Sequence, residues 1–211
     1  MAPRVGRGRP QTVRLVKRLR DLTPSWAISE RKGRHIAEQQ AKLLLADAGI
    51  TTPPVPTEIV SRLHGIAIYP LPKISVKGLL GASRPNAKGG DILINATLPA
   101  VEQRITLLHE LKHIIDGGHA TQLHTRERRS SGEQLCTEFA FQVLMPAAWL
   151  RTDWNDGKHD PTELAGRYQV PVEAVEQQLH NLGLTKRMPR HRHSIICQWH
   201  PDSKKKTRRP R

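Results

Sequence analysis

Aromatic side chains are scarce, at 4% of the 211 residues. A core built from this chain must therefore be mostly aliphatic. The two cysteines, Cys136 and Cys197, cannot make the disulfide framework of a small secreted domain, and a reducing compartment fits them. No apolar run approaches the roughly 18 residues that span a bilayer, so no membrane partner is expected. The Arg-rich start lacks the apolar segment of a secretory signal. The expectation from these absences is a soluble, cytoplasmic protein.

Positive charge is abundant. The formal net charge is +15, and it sits at the two ends. Residues 1–36 sum to +8 and residues 185–211 to +9, which leaves −2 for the stretch between them. A near-neutral domain, residues 35–184, is thus expected between a flexible basic arm (1–34) and a basic tail (185–211). Such arms suit non-specific contact with nucleic acid, although a charge run is more often just solvated. Poor order is expected over residues 1–25.

Within the domain, Ile36 to Ala48 reads as a helix stopped by Gly49. A short helix follows Thr57. Three strand-like runs come next: the segment GIAIYPLP, Gly78–Ser83 and Asp91–Ala96, the last two joined by RPNAKGG. A helix is expected from Thr97 to Asp116, ended by Gly117-Gly118, and another from Glu133 to Met145, closed by Pro146. Residues 160–183 read as a closing helical pair that starts on the cap Asp160-Pro161-Thr162-Glu163.

The first long helix contains His109-Glu110-Leu111-Lys112-His113, an HExxH pattern. Residues four apart share a helical face, so both imidazoles can reach one metal ion. Glu110, beside that face, can take a proton from a metal-activated water without ligating. With 11 histidines and 11 glutamates in 211 residues, chance supplies roughly 0.03 such matches. The plain alternative is a pair of histidines on an ordinary helix. Ile105, Leu107, Leu108, Leu111, Ile114 and Ile115 surround the motif with apolar residues, and a buried histidine pair with a carboxylate needs a purpose.

A catalytic zinc takes three protein ligands, so one more is required. Glu133, 20 positions after His113, can supply it from the next helix, unless it belongs to a capping box with Ser130. Ser131 with Gln134 offers the same cap and would leave Glu133 free. His119 gives HExxHxxDxxH, near the pattern HExxHxxGxxH. Asp116 is the third candidate and lies close behind His113 along the helix. The glutamate on a following helix is the favoured arrangement.

The stretch DILINATLPAVEQRITLLHELKHIID resembles the ImmA/IrrE family of metallopeptidases, and GEQLCTEFAFQVLMP is similar to that family's Glu-x-x-Ala/Cys-Asn/Asp-x-Phe-Ala…Leu-Met-Pro helix. The segments from Ala37 to Ile68 and from Glu163 to Leu184 also look like parts of the family's domain. The resemblance implies an α+β, zincin-like metallopeptidase domain with a small sheet packed on the HExxH helix. It implies His109, His113 and Glu133 as metal ligands, Glu110 as the catalytic base, and zinc, with manganese as the alternative. Cys136 takes a small-residue position, and Thr137 stands where the family usually has Asn or Asp. The implied substrate is a protein, a helix-turn-helix repressor cut at a specific site to control gene expression.

Rival readings are a DNA-binding regulator, or a toxin–antitoxin partner, with a non-catalytic metal site. The closing pair superficially resembles helix-turn-helix, but VEAVEQQLHNL carries Glu173 and Glu176 and no Lys or Arg, which does not suit phosphate contact. A packing role is expected. His191, His193, Cys197 and His200 have no zinc-finger spacing. Asp91–Asn95 is the expected sheet edge for substrate backbone. His119, His124 and Tyr168 are candidate oxyanion donors.

Overall fold

The computed structural model describes residues 12–26, 28–71, 79–86, 89–117 and 129–186. The element order is α1 (Thr12–Asp21), α2 (Glu30–Ala48), α3 (Glu58–Ser61), β1 (Ile66–Pro70), β2 (Gly81–Asn86), β3 (Gly89–Ile94), α4 (Ala100–Asp116), α5 (Arg129–Leu144), α6 (Ala147–Asn155), α7 (Pro161–Tyr168) and α8 (Val172–Asn181). This is the expected α+β class.

The sheet order is β1-β3-β2, with β1 parallel and β2 antiparallel to β3. The expectation for Asp91–Asn95 is therefore corrected. Residues 91–94 belong to the middle strand, whose backbone pairs on both sides. Among the described residues β2 is an edge. It begins at Gly81, three residues later than its sequence pattern suggests, and Arg84, Pro85 and Asn86 extend the ladder instead of forming a loop. Gly81 is required by the packing. A Cβ there would stand 2.6 Å from Thr106 Cγ2 and 3.1 Å from Glu110 Cγ, so only glycine lets β2 lie this close to α4.

The core is aliphatic. Leu44, Ile92, Ile105, Leu108, Leu111, Ile114, Ile115 and Leu144 are all almost fully buried, and Phe139, Phe141 and Tyr168 add aromatic rings to them. Helix α5 packs against both α2 and α4. Gly33 of α2 allows part of that contact, since a Cβ there would meet Leu135.

The N-terminal segment departs from expectation. Residues 12–21 are helical, and Leu15, Val16 and Leu19 are buried against the core. Arg20 Nη2 donates to Ile114 O at 3.1 Å and to Gly89 O at 3.3 Å, and Gln40 Nε2 donates to Leu19 O at 2.8 Å. The density of basic residues hides a short apolar stripe at i, i+1 and i+4. Residues 1–11 and the tail from 187 lie outside the described residues.

The closing pair begins as its sequence predicts, with Asp160 Oδ1 accepting from Thr162 N at 2.9 Å. The pair is tied to α6 by Asp153. That carboxylate accepts from Tyr168 Oη at 2.7 Å, Arg167 Nε at 2.7 Å and Lys158 Nζ at 3.0 Å. Burial alone would raise its pKa, but these three donors hold it below the usual carboxylate range. Tyr168 is fully buried and its hydroxyl is spent on Asp153, so it is not an oxyanion donor. No described helix is long and apolar enough to cross a membrane.

Candidate metal centre

His109 and His113 sit one turn apart on α4, and Glu133 reaches them from α5. His109 Nε2 lies 3.1 Å from Glu133 Oε2 and 3.2 Å from His113 Nε2, and His113 Nε2 lies 3.6 Å from Glu133 Oε2. A tetrahedral metal with bonds of about 2.05 Å has ligand–ligand edges of about 3.3 Å. The three separations bracket that value, so the donor set fits one such ion.

The start of α5 frees Glu133 for this role. The helix begins at Arg129, so neither Ser130 nor Ser131 precedes it as a cap. Of the other two candidates, Asp116 is spent elsewhere. Both its oxygens accept from Lys112 Nζ, at 2.6 and 2.7 Å, in a pair about 2% exposed. His119 and His124 lie outside the described residues, as do His191, His193, Cys197 and His200.

Cys136 also belongs to the cluster, with its ligand atom within 4.8 Å of those of the two histidines. Its position argues against direct ligation beside Glu133. Sγ stands 3.6 Å from His113 Nδ1, the ring nitrogen opposite the one that faces His109. Burial pushes the Cys136 thiol up, so at neutral pH it is a neutral partner behind the ring.

Thr137 does the same for the other imidazole. Its Oγ1 donates to Glu133 O at 3.1 Å, and the same oxygen lies 3.4 Å from His109 Nδ1. A hydroxyl has one proton. With that proton on the carbonyl, a lone pair faces Nδ1, which must then carry the hydrogen. Nε2 is then the nitrogen that a metal would take, in place of the proton it otherwise shares with Glu133. One turn of α5 therefore supplies a carboxylate toward the centre and a partner behind each ring. The family resemblance gives Cys136 only a small-residue position. The structure adds that it touches the site.

The electrostatics are those of a cation site. Burial opposes a charged His113, yet its hydrogen bonds to Cys136 and Glu133 and the nearby Glu110 carboxylate raise its pKa well above the ordinary value. Burial likewise opposes ionised Glu133, but the hydrogen bonds from His109 and His113 hold it far below the carboxylate range. Glu110 is largely buried beside this cluster, and its Oε2 accepts from Ser83 Oγ at 2.7 Å.

The model of the IrrE N-terminal-like domain, Peptidase M78, matches residues 62–180. No curated protein matches the chain. A solved structure titled "Mycobacterium tuberculosis transcriptional regulator" is similar in fold, with a TM-score of 0.50 at 18% identity. The match covers 85% of this chain and 54% of that one, so this chain spans about half its length. A match over more than half of the chain, laid across the sheet, α4, α5 and the closing pair, settles the family: the chain belongs to Peptidase M78, the IrrE N-terminal-like metallopeptidases.

Proposed function

We propose that the protein is a cytoplasmic zinc-dependent endopeptidase that cuts a helix-turn-helix repressor at a specific site. The observation that carries the reading is the convergence of His109 Nε2, His113 Nε2 and Glu133 Oε2 within 3.6 Å of one another, with a buried carboxylate, Glu110, alongside. Zinc, or manganese in its place, would supply an acidified water and a Lewis acid for the peptide carbonyl. The chain's own residues do the rest. Glu110 accepts the proton of the attacking water and returns it to the leaving amine nitrogen. Thr137 and Cys136 hold the two rings in place. The gene-control part of the reading rests on the family resemblance. The test is co-expression with a helix-turn-helix repressor encoded next to the gene, looking for cleavage by the wild type.

The ligand set makes its own prediction. Glu133→Ala, and His109→Ala with His113→Ala, should each lose the roughly one equivalent of metal held by the purified wild type. Metal analysis after gel filtration reads it directly. Full metal content in Glu133→Ala would return the third position to His119.

Thr137 predicts a graded effect. Thr137→Val keeps the shape but removes the acceptor facing His109 Nδ1. Metal affinity should fall by about 10–100-fold, the usual loss when a ligand's outer partner is removed, and Thr137→Ser should restore it. Competition against a chromogenic chelator gives the affinities. Equal values for Val and Thr would show that the hydroxyl only bonds back to its own helix.

The rival reading, a DNA-binding regulator with a non-catalytic site, lacks a basic surface on the closing pair. Helix α8 has acidic Glu173 in its first turn and no Lys or Arg. Any nucleic-acid contact is assigned to the basic ends.

A further inference from the structure

We propose that Ser83, presented by β2 two residues after Gly81, is the positioning residue for Glu110. The inference rests on the reading of Glu110 as the proton acceptor of the site.

Three observations meet at this point. Ser83 Oγ donates to Glu110 Oε2 at 2.7 Å, a short contact of the charge-assisted kind. Residues 81 and 83 share one face of the strand. That face is pressed on α4 so tightly that a Cβ on Gly81 would stand 3.1 Å from Glu110 Cγ. Residue 84, on the opposite face, instead turns Arg84 to Asp91 at 2.8 Å.

The glycine thus brings the strand down onto the glutamate stem, and the serine holds its head. A glutamate side chain has three rotatable bonds, and a base that must meet a proton at one place gains from having them fixed. The hydroxyl occupies one carboxylate oxygen and leaves the other to accept. The plain alternative is that Ser83 only stitches β2 to α4. The strand already has its ladder to β3 and its close packing at Gly81, so the stitch is not needed to hold it.

The test uses the full-length protein loaded with cobalt(II), whose visible bands report binding at the metal. Two probes are titrated. Acetohydroxamic acid binds metals as an anion and must give its proton to a nearby base, whereas thiocyanate brings no proton. Ser83→Ala should weaken acetohydroxamate by about tenfold, because a glutamate no longer held by the hydroxyl must be ordered each time it takes the ligand's proton. It should leave thiocyanate affinity and cobalt stoichiometry unchanged, and Ser83→Thr should restore the wild-type value. With a cleavable substrate, kcat should fall in Ser83→Ala while KM holds.

Equal acetohydroxamate affinity in wild type and Ser83→Ala would overturn the assignment, as would equal weakening of both probes. Acetohydroxamate affinity untouched by Glu110→Gln would instead remove Glu110 from its role. A wild type that takes up no cobalt would overturn the metal reading and this inference with it.

Discussion

Glu110→Gln should fold, bind one metal ion per chain, and cleave the proposed repressor substrate at least about a hundredfold more slowly than the wild type. The atoms that converge on the centre belong to His109, His113 and Glu133, so the substitution removes no ligand. The amide has the shape of the carboxylate and can still meet Ser83, so β2 and α4 should stay in register. What it cannot do is take a proton. A positioned general base contributes about 10²–10⁴ in rate, and that factor should be lost from kcat. The measurement is repressor cleavage in a co-expression assay, with metal content determined on the same samples. Undiminished cleavage would remove Glu110 from the chemistry.

The same assay separates hydrolysis from binding. Deleting residues 1–11 and 187–211 strips most of the basic ends but spares α1, whose Leu15, Val16 and Leu19 are part of the core. Under the proposal that variant still cuts, and only its contact with nucleic acid weakens and becomes less salt-dependent. Gene control that survives Glu110→Gln but disappears with the ends would mean that the protein acts by binding.

The residues that could be read from the sequence are those whose signal is local. The helix at Pro161 is announced by Asp160, a cap acting two residues away, and the HExxH pair by a four-residue period. Features set by distant partners could not be read. Nothing in the run Asp91–Ala96 says that its backbone will pair on both sides, because strand order is decided by β1 and β2 together. Thr137 departs from the family's usual Asn or Asp. Its use emerges only when α5 is packed on α4, which brings a threonine oxygen to 3.4 Å from His109 Nδ1. Helices α1 and α6 were missed for two reasons. Basic density masked the apolar stripe of α1, and Pro146, read as a stop for α5, also serves as the N-cap of α6. In the sequence Asp116 is a candidate ligand. Its true partner, Lys112, stood four residues earlier in plain view, but the burial that makes the pair matter is a property of the fold.

That pair carries the largest stability effect expected in the molecule. Lys112 and Asp116 lie inside α4 at about 2% and 1% exposure, joined by contacts of 2.6 and 2.7 Å. Thr23 Oγ1 approaches the same carboxylate at 3.5 Å and accepts from Gln40 Nε2 at 3.1 Å, so α1 and α2 close over it. Removing one partner leaves the other charge buried and uncompensated. Asp116→Leu or Lys112→Met alone should therefore destabilise the fold by about 3–5 kcal/mol. That is a large share of the roughly 5–15 kcal/mol that holds a typical domain together. Removing both should cost far less than the sum, because two apolar side chains of similar size leave no stranded charge. The double-mutant cycle, measured by urea unfolding of the metal-loaded protein, gives the coupling directly. Asp116→Leu should also keep its metal at low denaturant, which Glu133→Ala should not. Loss of metal from folded Asp116→Leu would make Asp116 a ligand after all. Additive single and double effects would mean that the two charges do not depend on each other.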